Sequence, residues 1–182
     1  MHIPTLLALG AAIIGSAFSG SPFGSTSEAA NELCGQTITD SLTLTADQTC
    51  TGNAEDGVVV TADTVGMIFE GNVSGGNGGH GIALQSHPDS TTLKKNQLIG
   101  NVRDGVFVDV AVQTTAIVQN AAFGNGVSGF NVDNTTSTLT KNLVVANLAS
   151  GIRTPFGAVD GGGNQAHDNL GSPQCTPPIA CP

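Results

Sequence analysis

The sequence has no tryptophan, no tyrosine, two methionines and only five lysines and arginines, and charged residues make up 10% of it. Missing Trp and Tyr remove the usual stacking platforms for sugars and bases. Fourteen acidic residues against five basic ones give a formal net charge of −9, which repels phosphate backbones and argues against a nucleic-acid partner. The apolar fraction of 39% is ordinary for a folded chain, so wholesale disorder is not expected. What the chain has in excess is glycine, 25 residues, and asparagine, 14 residues, within a length of 182 that suits one domain.

The segment 1–29 differs from the rest. Leu6 to Phe18 is an almost unbroken apolar run followed by small residues. The run is short of the ~20 residues a bilayer span needs and matches the apolar core of a secretory signal peptide, with cleavage expected after Ala29 or after Ala17. No lysine or arginine precedes it, only His2. The expected location is secreted, extracellular or periplasmic, with no membrane association beyond the export signal. Four cysteines fit an oxidising compartment. Cys34 and Cys50 are close in sequence, as are Cys175 and Cys181, and the two pairs are far apart, so the expected disulfides are Cys34–Cys50 and Cys175–Cys181.

An internal repeat decides the architecture. Asn53, Asn77, Asn101, Asn125, Asn147 and Asn169 recur at near-constant spacing, which shortens slightly after Asn125. A second series, Asn72, Asn96, Asn120, Asn142 and Asn164, keeps the same spacing and stands five positions before members of the first. Gly57, Gly81, Gly105, Gly129 and Gly151 each follow a first-series asparagine by four. After each glycine comes a short alternating segment: VVV, IAL, VFV, FNV, IRT. Phe69, Leu93, Ile117 and Leu139 form a second apolar column, and Leu98, Ile99, Phe123, Val144 and Val145 mark a third segment. Period-two alternation predicts three short strands per repeat and no helix. One such repeat cannot bury its apolar side alone, whereas stacked repeats form a continuous core.

The predicted fold is all-β: a right-handed parallel β-helix (β-solenoid) of about six coils, each about 22–24 residues long. The domain plan is a signal peptide over 1–29, an N-terminal cap over 30–52, the β-helix over 53–169 and a disulfide-closed C-terminal cap over 170–182. The asparagines are read as ladders, each amide donating to one neighbouring coil and accepting from the other. Asparagine also tolerates left-handed backbone at a turn, and the repeat glycines are expected to supply positive φ where the chain re-enters the strand.

The segments NVSGGNGGHGIAL, NQLIGNVRDGVFV, NAAFGNGVSGFNV and NLVVANLASGIRT resemble right-handed parallel β-helix repeat proteins of the pectate-lyase-like superfamily, over about residues 34–170. The two ends, CGQTITDSLTLTADQTCTGNAEDGVVVTAD and GGGNQAHDNLGSPQCTPPIACP, look like those of secreted bacterial members, where such segments open and close the helix. The resemblance implies the fold. It leaves function open, because members include lyases, hydrolases, epimerases and proteins without enzymatic activity.

Candidate chemistry lies on outward positions. Asp109 and Asp133 fall on adjacent coils, near the ~5–5.5 Å separation of a retaining glycosidase pair, with Arg153 diagonal to them. Asp56, His80 and Asp104 stack at the turn before the glycines, where a histidine between carboxylates suits acid–base work. Ordinary readings stand beside these: a solvated sheet face, a calcium site at the Asp109–Asp133 face, and standard turn residues before glycine. No resident cofactor is expected. Copper capture by β-helix proteins of the periplasm wants clustered His, Met or Cys, and His80, His87, His167 and Met67 are scattered. Thr91, Thr115 and Ser137 give only a short column for an ice-binding face, and Asn134 in NTTST is the one plausible glycan acceptor, and only in a eukaryote. The favoured function is an exported β-solenoid with a structural, surface-attachment, partner-binding or glycan-binding role, its partner a polysaccharide or cell-surface component. The alternative is a small polysaccharide lyase or glycoside hydrolase.

Overall fold

The structure is a computed structural model that describes residues 37–38, 43–44, 49–51, 55–61, 66–86 and 88–182. The segment 1–29 therefore lies outside the described residues, as do Cys34, the side chain of Cys50, Asn53 and His87. Among the described residues, eighteen short strands form three six-stranded sheets in which every pairing is parallel. The first sheet stacks Thr37–Ile38, Val58–Val60, Ile82–Leu84, Val106–Val108, Phe130–Val132 and Ile152–Arg153. The second stacks Thr43–Leu44, Ile68–Glu70, Thr91–Lys94, Thr115–Val118, Thr138–Thr140 and Val159–Asp160. The third stacks Thr49–Thr51, Val73–Gly75, Gln97–Ile99, Ala121–Phe123, Leu143–Val145 and Gln165–His167.

The chain visits the three sheets in turn and returns one rung higher, which is a parallel β-solenoid, with no helix among the described residues. The expected count of about six coils needs an adjustment. Four rungs, from Val58 to Val145, have strands of three or four residues throughout, while two-residue strands shorten the first and last. The shortening of the repeat arises between the first and second sheets. Eight positions separate Val108 from Ala116, and six separate their partners Val132 and Thr138.

Alternation follows the burial. Val58 and Val60 face in and Val59 is half-buried; the same holds for Val106, Phe107 and Val108, and for Phe130, Asn131 and Val132. Inside, Phe69, Leu93, Ile117 and Leu139 line up under the second sheet and Leu98, Ala122 and Val144 under the third, all buried. Each such side chain contributes ~1.5–3 kcal/mol of burial when large. Ile99, Phe123 and Val145 are the outward partners of that third segment.

Both asparagine series form ladders through the described coils. The Asn101 Oδ1 accepts the backbone N–H of Asn77 at 3.2 Å and its Nδ2 at 2.8 Å, and the Asn101 Nδ2 donates to the Ser74 carbonyl. Asn125, Asn147 and Asn169 repeat this pattern, as do Asn96, Asn120, Asn142 and Asn164. A buried N–H at each bend thus finds an acceptor.

The left-handed backbone sits one residue before each ladder asparagine rather than on it. Gly71, Lys95, Gln119 and Lys141 precede one series, and Gly76, Gly100, Gly124 and Ala146 the other, all with positive φ. The repeat glycines have a different reason to be glycine than the expected positive φ. Gly81 and Gly105 are not among the positive-φ residues; a Cβ there would stand 2.6 and 2.7 Å from the carbonyl oxygen of the next coil and about as close to a ladder asparagine Nδ2. Close approach of backbones demands them.

Two further expectations are corrected. Thr91, Thr115 and Ser137 point inward and are buried, so they form no outer column. Asn134 is 1% exposed and its Nδ2 donates to the carbonyls of Val112 and Gln113, which removes it as a glycan acceptor.

At the C-terminal end Gln174 takes the place of a further ladder asparagine: its Oε1 accepts the Asn169 N–H at 3.0 Å and its Nδ2 at 2.7 Å. Cys175 makes a β-bridge with Ile152, Ile179 is buried against the core, and Cys175 and Cys181 form the expected disulfide.

Candidate functional site

A third ladder runs along the turn before the first sheet. The Asp56 Oδ1 accepts the backbone N–H of His80, the His80 Nδ1 accepts that of Asp104 at 3.3 Å, and the Asp104 Oδ1 accepts that of Ser128 at 2.8 Å. Aspartate, histidine and aspartate play one structural part, a side-chain acceptor for the next coil's N–H. With Nδ1 accepting, the ring proton is assigned to Nε2. Gly79 makes room for this arrangement, because a Cβ there would overlap the Asp56 Oδ1.

The His80 ring stacks on Phe107, centroids 4.8 Å apart and planes 19° from parallel. Phe107 is the outward residue of its strand and is paired with Ala83 one rung below and Asn131 one rung above. Stacked rings at this separation are favourable.

The polar groups continue upward. The Asn131 Nδ2 donates to the Asp104 Oδ2 at 3.3 Å, and the Arg153 guanidinium donates to the Asn131 Oδ1 and, at 2.7 Å, to the Asp133 Oδ1. His80 and Asp104 are buried, at 7% and 3% exposed, and their side chains also approach each other at 3.3 Å from Nδ1 to Oδ2. The cleft between these groups has a volume of about 440 Å³. Asp56, His80, Asp104, Phe107 and Asn131 line one part of it, with Gln85, Arg103 and Val127 at its other borders.

The sequence-predicted residues divide accordingly. His80 and Asp104 are brought together in the cleft, and Arg153 and Asp133 adjoin it through Asn131. Asp109 and Asp133 occupy adjacent rungs, each following a paired strand, but their carboxylates turn to different partners. Asp109 accepts the Ala111 N–H at 2.9 Å, and Asp133 takes Arg153. Phe107, Arg103, Gln85 and Asn131 were not singled out by the sequence. Phe107 had one signal: it is the only aromatic in the outward column Val59, Ala83, Phe107, Asn131, Arg153.

Chemically the cleft offers carboxylate acceptors, an imidazole, two amides, one guanidinium and an apolar ring. Metal ligation is not among its strengths. Among the described residues no three His, Cys, Asp or Glu side chains converge to hold an ion. Met67 is fully buried in the core, Cys175 and Cys181 are joined to each other, and His167 contacts Asp168 on the surface.

A family model described as periplasmic copper-binding protein (NosD) matches residues 11–170. No curated protein and no solved structure matches the chain.

Proposed function

The chain belongs to the NosD family of periplasmic copper-binding proteins, and from that premise we propose that it is an exported β-solenoid whose cleft at His80 and Phe107 binds a glycan or another cell-surface component. The observation that carries the proposal is local. Among the described residues, the outer face of the solenoid is interrupted on the central rungs by a ring pair held beside fixed polar groups. Small-molecule sites are concave and combine apolar walls with a few placed polar groups. A rigid ladder fixes the geometry of those groups before any ligand arrives.

The family's description names copper, and the described residues of this chain do not fit it. Copper sites gather imidazole, thioether or thiolate donors. Here the His80 Nδ1 is occupied by the Asp104 N–H, the nearest neighbours are carboxylates, and Met67 is in the core.

A second reading, a small carbohydrate-active enzyme of the pectate-lyase-like superfamily, has one observation in its favour: His80 is held against Asp104 with Asp56 one coil below. An imidazole beside carboxylates suits acid–base work. The test serves both readings. The purified protein is incubated with immobilised neutral and acidic polysaccharides and with isolated cell envelopes, and both retention and released sugar are measured. Retention without release, lost in Phe107→Ala, supports the binding module. Release of sugar supports the enzyme. The absence of both refutes the proposal.

A further inference from the structure

The charge and hydrogen-bonding inventory of the cleft points to a narrower ligand class, and we infer that it receives an uncharged, hydroxyl-rich sugar ring rather than a uronate or an amino sugar. This rests on the proposed glycan-binding role of the same site.

Two carboxylates, Asp56 and Asp104, and one guanidinium, Arg103, line the cleft. Acidic groups thus outnumber the guanidinium in the lining. Asp133, the next acid on this face, is matched by Arg153 at 2.7 Å, and the chain as a whole carries −9. A sugar carboxylate entering here meets like charge, which is unfavourable at close range. An ammonium group finds the Asp104 carboxylate already served by the Ser128 N–H and the Asn131 amide.

What the cleft can still do is exchange hydrogen bonds with groups that both donate and accept. Gln85 and Asn131 carry amides that do both, Arg103 donates only, and a carboxylate has about four acceptor sites, of which Asp56 gives one to the His80 N–H among the described residues. Hydroxyls match that mixture. Phe107 and Val127 supply the apolar contact that the C–H face of a sugar ring needs, and Val127 is 39% exposed. Phe107 is backed by the His80 ring on one side, which holds it in place without a rotamer search on binding.

The experiment is a titration of the full chain, followed by amide chemical-shift changes and calorimetry, with three probes of matched length: neutral xylan or β-glucan oligosaccharides, oligogalacturonate, and chitosan oligosaccharide. The expected result is binding of a neutral series with little dependence on salt, shifts centred on positions 103–107 and 131, and an affinity about tenfold weaker in Phe107→Ala, the scale of a lost aromatic contact. Phe107→Leu keeps the apolar volume and guards against a folding artefact. It is expected to weaken binding as well, with an unchanged melting temperature. Preferential binding of oligogalacturonate or chitosan oligosaccharide, falling as salt rises, would overturn the neutral-sugar inference and leave the glycan-binding reading standing. Absence of binding to all three series, and to envelopes, removes both.

Discussion

The imidazole Nδ1 of His80 accepts the backbone N–H of Asp104, one coil on, in the position where Asp56 and Asp104 place a carboxylate oxygen for the next coil. The histidine is therefore a rung of a ladder as well as a wall of the cleft, and the two parts separate by mutation. His80→Asn keeps a short side-chain acceptor and loses the ring stacking on Phe107, so it should cost only about 0.5–1.5 kcal/mol. His80→Ala leaves the buried Asp104 N–H without an acceptor and should cost roughly 1–3 kcal/mol. Urea unfolding of the two variants checks this. Equal losses in both would show that the ring packing on Phe107, not the hydrogen bond, is what the position needs.

The asparagine ladders carry stability as well. Asn101→Ala removes the acceptor of the Asn77 N–H and Nδ2 and the donor to the Ser74 carbonyl, all buried. The Asn77 Nδ2 keeps its bond to the Ser74 Oγ, so the loss falls chiefly on the Asn77 N–H and should be roughly 1–3 kcal/mol. Gln97→Ala, on an exposed position of the adjoining strand, serves as the comparison and should change stability by no more than ~0.5 kcal/mol. Denaturant midpoints measured side by side decide the point, and similar midpoints would mean that the ladder is replaceable by water.

Two glycines of one coil should respond differently to alanine. At Gly105 the new Cβ meets the Gly129 carbonyl oxygen at 2.7 Å, and backbone must move. At Gly100 nothing lies within 4 Å, but φ is +62°. Gly100→Ala should cost about 1 kcal/mol, the strain of left-handed backbone. Gly105→Ala should cost more, in the overpacking range of ~1–3 kcal/mol or above. The order of the two melting temperatures is the readout, and the reverse order would contradict the close-approach reading.

The closing segment is tied by Asp160. Its Oδ2 accepts the Ala180 N–H at 3.0 Å, and its Oδ1 accepts the Gly162 N–H and the Asn164 amide. These bonds, that from Ala180 foremost, hold the carboxyl below the usual aspartate range. A lowered folded-state value means that the stabilisation is fully present above the ordinary aspartate range and is lost as pH falls through the lowered value. The melting-temperature gap between the parent and Asp160→Asn should accordingly be open at neutral pH and close in acid. Amide exchange at Ala180, slowed at neutral pH in the parent only, reports the same bond. A gap that does not change with pH would show that charge plays no part there.

Much of the architecture was legible along the chain, because a solenoid writes its own period. Asn77, Asn101, Asn125 and Asn147 are equivalent in sequence for the reason that they are stacked in space, and the alternation of Val106, Phe107 and Val108 gives the inward and outward faces directly. The glycines show where such reading stops. Spacing places Gly105 at the strand entrance, yet whether glycine is needed there for φ or for room depends on the carbonyl of Gly129. Asn134 likewise has a glycosylation pattern in sequence, and only its burial against Val112 and Gln113 removes it.

The site divides along the same line. His80 and Asp104 belong to one column of the repeat, so the sequence alone puts them one coil apart. The pairing of Phe107 with His80 joins two different columns on successive coils, through side-chain directions that no period encodes. For the same reason the spacing that puts Asp109 and Asp133 on neighbouring rungs does not give the direction of their carboxylates, which turn to different partners, the Ala111 N–H and the Arg153 guanidinium. The sequence by itself determined the repeat, the strands, the ladders and the inward face, because stacking makes those properties of one coil that recur in the next. The tertiary structure decided which outward side chains meet, because that depends on rotamers and on the packing of neighbouring side chains, and neither is periodic.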